Sequence, residues 1–198
     1  MPKIKPASVT GSPFNDALAY LHEHAFTGVP GESDPFTLPL IDREFIAYAL
    51  SCYYQCDHCQ EHHQKAINRL LAKEPAAWNW LHELVKTVLF LRAQKSAISP
   101  VEWQHWLIEW DRFAGLMQAK RPGLVEAVAY SIGFARDDKD LLDFAWDKMA
   151  DRFDLSLLEG VVRDIVRVAI FMKAATAKNR VEPLIMAQFA ARGLDGSV

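Results

Sequence analysis

The chain's 198 residues, 51% hydrophobic and 24% charged, suffice for one sizeable core and are too few to suggest two full domains. A net charge of −3, with Lys and Arg scattered among Asp and Glu, offers no basic face to phosphates and speaks against nucleic acid as a partner. No segment reaches the ~18 uncharged apolar residues a membrane span needs, the N-terminal MPKIKPASVTGSPF carries no apolar run after its lysines, and three cysteines cannot form a disulfide scaffold. A soluble, cytoplasmic protein without membrane association is therefore expected, with thiols that react or bind metal.

Residues 1 to 12 read as an arm, and Ser12-Pro13 as the cap and first turn of a short helix to about His24, so that 1–35 forms an N-terminal arm and short helix. Thr27 to Pro39, dense in Pro and Gly, reads as a loop. A motif helix pair over 40–72 follows. Its first helix runs from about Leu40 to near Tyr54 and carries Glu44, Tyr48 and Ser51 near one face. The second runs from about Cys56 to Leu71, because Cys59, His63, Ala66 and Leu70 recur at helical spacing.

Pro75 opens a helix through Leu91, and Ser99-Pro100-Val101-Glu102 is a capping box heading another to about Ala119. Trp103, Trp106 and Trp110 share a face of the latter, as a packing or subunit stripe. Pro122 starts a helix to about Ala135, Asp137 or Asp138 caps one to about Phe153, and a long helix runs from about Ser156 to Asn179. Pro183 begins a short terminal helix. No stretch sustains period-two alternation, so the chain reads as a single all-α domain over 1–198 with roughly seven to nine helices.

One internal echo stands out: Arg43-Glu44-Phe45-Ile46 and Arg163-Asp164-Ile165-Val166 superpose on a shift that also brings Cys56, Cys59 and His63 onto Thr176, Asn179 and Pro183. A second copy, if that is what it is, has lost the chemistry, and chance similarity of two amphipathic helices explains the match equally well.

The chemistry concentrates between Glu44 and His63, in EFIAYALSCYYQCDHCQEHH. On a helix Cys56, Cys59 and His63 form one column. Residues three apart have α-carbons roughly 5 Å from each other, inside the ~4.4–6.8 Å that a disulfide accepts, so the two thiols can oxidise together. A thiol at its ordinary pKa of ~8.5 is only a few per cent thiolate at neutral pH, so the pair needs activation. A helix N-terminus beside the cysteines supplies positive partial charge, and His63 one turn on can accept the Cys59 proton. Glu44, arriving from the preceding antiparallel helix, can hold His63 in one tautomer or pass a proton through water or Cys56. Such a pair suits peroxide reduction: a thiolate attacks an O–O bond, the sulfenic acid condenses with the second thiol, and an external dithiol reduces the resulting disulfide. No Gly-rich strand-to-helix turn marks a flavin or nicotinamide site, so no cofactor is expected.

Glu44, Cys56-Asp57-His58-Cys59 and His63, in this spacing, resemble the motif of the AhpD-like alkylhydroperoxidases of the carboxymuconolactone decarboxylase superfamily. The resemblance covers the motif and the helix pair around it. It implies an all-α fold assembled as trimers or hexamers, Cys59 as the peroxide-attacking thiol, Cys56 as the resolving one, and Glu44, His58 and His63 as the proton relay. It further implies a small hydroperoxide substrate and a dithiol reductant of the lipoyl type on a partner protein. Decarboxylase members generally lack the cysteine pair, which disfavours the lactone reaction.

Two other readings use the same residues. A redox sensor or disulfide-exchange protein would oxidise the pair stoichiometrically. Zinc could take Cys56, Cys59 and His63 with Glu44 or His62, although structural sites draw a second ligand pair from a distant segment and none stands out. Cys52 reads as a buried structural thiol and His62 as a solvent or interface residue. His22, His24, His82 and His105 read as surface or satisfied core residues, and Tyr48, Tyr53 and Tyr54 as packing or, less favoured, a pocket wall. A concave, partly apolar opening at the Cys59 sulfur would favour small-molecule turnover.

Overall fold

The computed structural model describes residues 13–28, 35–71 and 121–191, together with scattered helical positions between 101 and 115. Six α-helices lie within them: α1 Pro13–His22, α2 Leu40–Tyr54, α3 Asp57–Leu70, α4 Leu124–Arg136, α5 Lys139–Ala150 and α6 Leu155–Ala191. A π-helical turn, Glu23–Thr27, continues α1. Among the described residues there is no strand, so the fold is all-α. The expected helix over 75–91 and the tryptophan stripe at 103, 106 and 110 lie outside the described residues, and with them the count of seven to nine. None of the helices searched is long and apolar enough to cross a membrane.

Apolar residues surround α2 on nearly every side, and a helix of that kind is stable only when enclosed. Phe45, Ile46, Ala47, Ala49 and Leu50 are completely buried, and α2 packs against α3, α4 and α6. The helix stops at Gln55, which adopts a left-handed conformation (φ 55°) and lets the Cys56 N–H reach back to the Ser51 carbonyl at 3.0 Å. That conformation costs an L residue roughly 1–2 kcal/mol, and here it turns the chain so that Cys56 becomes the N-cap of α3. In α3 the buried residues are Cys59, His63 and Ile67, a single stripe at helical spacing. The chemical column is thus also the stripe that faces the core.

Two contacts fix the segment leading into α2. The Asp164 carboxylate of α6, fully buried, accepts the Thr37 N–H at 2.6 Å and the Leu38 N–H at 2.9 Å. Gly160 lets this segment lie directly on α6, since a Cβ there would sit 2.1 Å from the Thr37 hydroxyl. Further along, Gly123 opens α4 with φ 82°, at a place where a Cβ would fall 2.2 Å from the Phe153 ring. Asp138 caps α5 by accepting the Leu141 N–H at 3.1 Å.

One expectation is overturned. Pro183 does not begin a separate terminal helix; α6 runs unbroken from Leu155 to Ala191 with the proline inside it. A proline within a helix forfeits one main-chain hydrogen bond and crowds the preceding turn, at about 3 kcal/mol or more. The residue sits on the exposed side, and Lys178 and Glu182 pair at 3.5 Å one turn apart just before it, which holds the helical path.

Candidate functional site

Cys56 and Cys59 form a disulfide, their α-carbons 5.3 Å apart as the three-residue spacing requires. Cys56 sits at the N-cap, where its sulfur accepts the Cys59 N–H at 3.4 Å, so the first turn of α3 is closed by the cysteine pair itself. One turn on, His63 is 2% exposed and its Nδ1 lies 2.8 Å from Oε2 of Glu44, which α2 delivers and which is 7% exposed. The pairing expected from the sequence is present, with both groups withdrawn from water. Phe26 of the π-turn lies against the His63 ring at 5.6 Å and Phe171 of α6 meets it edge-on at 6.3 Å.

The sulfurs have a second polar wall. Asn179 of α6 places its side-chain Nδ2 3.5 Å from both Cys56 Sγ and Cys59 Sγ. Thr176, one turn earlier and buried, brings its hydroxyl 4.0 Å from Cys59 Sγ. The spacing in the motif gives no hint of these residues, which lie more than a hundred positions away in the chain. The internal echo is the sequence feature that touches them, for it lays Thr176 and Asn179 over Cys56 and Cys59.

A cavity of about 280 Å³ opens onto Cys59. Helix α1 lines it with Leu18, Ala19 and His22, α3 with His58, Cys59, His62 and His63, and α6 with Phe171, Ala175, Lys178 and Asn179. Cys59 is the cysteine in its wall; Cys56 stands behind it. His22, expected at the surface or in a satisfied core, is instead half-buried in this wall, 5.2 Å from the Phe26 ring and 5.5 Å from that of Phe171. Burial pushes its pKa down, opposed by the Glu44 carboxylate and reinforced by His63. Exposed His62 edges the same cavity with its ring 5.1 Å from that of His63, and burial of its inner edge and that neighbour lower its pKa too. Both rings therefore favour the neutral form more than an ordinary histidine does.

Cys52 is a free, buried thiol whose pKa burial raises, and it takes no part in the cavity wall. Tyr48 and Tyr54 are likewise buried enough for their phenols to be pushed up to about 12. Of the other histidines, His24 bonds the Tyr20 carbonyl at 2.8 Å, His105 is exposed, and His82 lies outside the described residues. The 35–39 stretch of the expected loop crosses α6 at Asp164 and is not part of the cavity wall. Among the described residues no group of three or more His, Cys, Asp or Glu side chains is arranged to hold a metal ion.

Comparison of the chain with protein-family models, with curated proteins and with solved structures finds no match.

Proposed function

We propose that the protein is a thiol-dependent peroxidase of the AhpD-like kind, which reduces small hydroperoxides through a Cys56–Cys59 disulfide cycle in a reducing compartment such as the cytoplasm. The observation that carries the reading is the cavity: it meets the pair at Cys59, and His63, one turn on and paired with Glu44, lines it too. In the cycle the Cys59 proton passes to His63, and the thiolate attacks the distal peroxide oxygen. The O–O bond breaks, Cys59 becomes a sulfenic acid, and the departing alkoxide takes the proton from His63 to leave as an alcohol. Cys56 then attacks the sulfenic sulfur, releasing water and closing the disulfide. An external dithiol reopens it by exchange and is itself oxidised.

Glu44 stabilises the charge that develops on His63, and His58, at the exposed rim, relays protons to solvent. The cavity admits an alkyl hydroperoxide as readily as hydrogen peroxide, since Leu18, Ala19, Phe171 and Ala175 give it an apolar side. A lipoyl-type dithiol on a partner protein suits the reductant. Exposed Ile170, Val181 and Leu184 of α6 are positions at which copies of the chain can associate as a homo-oligomer.

The test is consumption of hydrogen peroxide or cumene hydroperoxide with dihydrolipoamide in excess. Catalytic turnover abolished by Cys59→Ser, and reduced to a single oxidation by Cys56→Ser, is the expected result. Turnover that survives Cys59→Ser removes the mechanism, and one equivalent consumed without cycling makes the protein a redox sensor instead.

A further inference from the structure

We propose that Asn179 is a catalytic residue of the disulfide cycle, a neutral donor that bridges both sulfurs and stabilises whichever one carries negative charge. The inference rests on the pair's being redox-active, and it concerns a residue from outside the cysteine motif. Asn179 Nδ2 stands 3.5 Å from Cys56 Sγ and 3.5 Å from Cys59 Sγ, so one N–H of its carboxamide can be shared between the two bonded sulfurs. Turned the other way, the amide would present its oxygen to sulfur lone pairs, so the observed orientation is the favourable one.

The consequence differs between oxidation states. Disulfide sulfurs are weak acceptors, and the two contacts contribute little while the bond is closed. When an external dithiol breaks the Cys56–Cys59 bond, a new bond forms to one sulfur and the electron pair of the broken bond stays on the other as a thiolate. The same N–H then makes a charge-assisted hydrogen bond to it, roughly twice as strong as a neutral one. Because Asn179 reaches both sulfurs, the released thiolate meets a donor whichever cysteine is attacked. Thr176, whose hydroxyl is 4.0 Å from Cys59 Sγ, reinforces that side of the pair only.

Stabilising the thiolate form has two effects of fixed sign. The thiol pKa falls, and the disulfide becomes easier to reduce. Glu44 on α2 and His63 on α3 handle the proton; Asn179, reaching the sulfurs from α6, handles the charge that remains once the proton has gone. It is a group that touches the reacting atoms from a helix that supplies no main-chain donor to them.

The experiment compares the parent protein with Asn179→Ala and Asn179→Asp, without any peroxide. Thiolate absorbance of the reduced proteins is titrated against pH, and the dithiol–disulfide equilibrium is measured in glutathione buffers. Removing the donor is expected to raise the lower thiol pKa by about one unit. It should also shift the equilibrium about tenfold toward the disulfide, which for a two-electron couple is about 30 mV more negative. Asn179→Asp, equal in size and accepting only, keeps the packing and should move both quantities at least as far. Unchanged pKa and potential in both variants would overturn the proposal even if the protein proves a peroxidase. Shifted values in a protein that turns over no peroxide would leave Asn179 as the residue that tunes the pair and discard the peroxidase reading alone.

Discussion

Replacing Glu44 by glutamine removes one charge and almost nothing else. The amide keeps the size of the carboxylate and an oxygen that can accept from His63 Nδ1, so the ring stays oriented while its buried counter-charge disappears. At the 2.8 Å separation, a full charge pair in an effective dielectric of ~20 would attract by roughly 6 kcal/mol, an upper limit before relaxation and residual water are counted. Hydrogen bonds to charged groups contribute a net ~1.5–3 kcal/mol when measured by mutation. If that stabilisation is realised as the Cys59 proton arrives on His63, the loss corresponds to about 10- to 150-fold in the rate of thiol oxidation at about 1.4 kcal/mol per decade. Stopped-flow mixing of the reduced protein with excess cumene hydroperoxide, with free thiols counted at intervals, reads this rate directly. A variant that folds normally and reacts within a factor of two of the parent would refute the role of Glu44, and with it the need for a buried base behind Cys59.

The remaining predictions concern what holds the site in place. Asp164→Ala strands the Thr37 and Leu38 N–H groups beside α6, and two lost bonds to a charged acceptor should cost about 3 kcal/mol or more, read as a lower denaturant midpoint at unchanged slope; a loss below about 1 kcal/mol would show that the contact is incidental. His22 has a folded-state pKa below its ordinary value of 6.5, so the unfolded chain binds more protons in the interval beneath 6.5. Its contribution is therefore fully present above that value and is lost as the pH falls through the interval. Melting temperatures between pH 7.5 and 5 should accordingly drop less steeply in His22→Phe than in the parent, and parallel curves would contradict the assignment.

The parts of this architecture that could be read from the sequence are those whose cause is local. Helix α2 begins at Leu40 and ends at Tyr54 as expected, with Pro39 at its start and the left-handed Gln55 at its end. Cys59 and His63 share a stripe because a four-residue spacing leaves them nowhere else to go on a helix, with Cys56 just before it as the N-cap. Glu44 meets His63 because two helices joined by a single tight turn must run back along each other. What could not be read has its cause elsewhere in the chain. His22, Phe26 and Phe171 enclose His63 through the packing of α1 and its π-turn on α6, and no local pattern encodes which face of α1 that will be. Pro183 misled for the opposite reason: a local rule that usually ends a helix was overridden by the turns on either side of it.

The internal echo gains a physical meaning from the way the two segments differ. Arg43-Glu44 and Arg163-Asp164 both lie in helices that pack on each other, and each carboxylate ties its helix to a neighbouring element, Glu44 to His63 and Asp164 to the segment before α2. The resemblance ends at Gln55. There the chain takes a left-handed turn and restarts as α3, whereas α6 continues through the corresponding Ala175 without a break. A helix interior has already committed its N–H groups to carbonyls four residues back, so Thr176 and Asn179 can offer the sulfurs only their side chains. The restart at Cys56 leaves the first N–H groups of α3 uncommitted, and one of them, from Cys59, is directed at the Cys56 sulfur. The break is therefore what separates the segment that carries the Cys56–Cys59 pair from the one that reaches it only through side chains, and the strain at Gln55 is maintained where that difference is made.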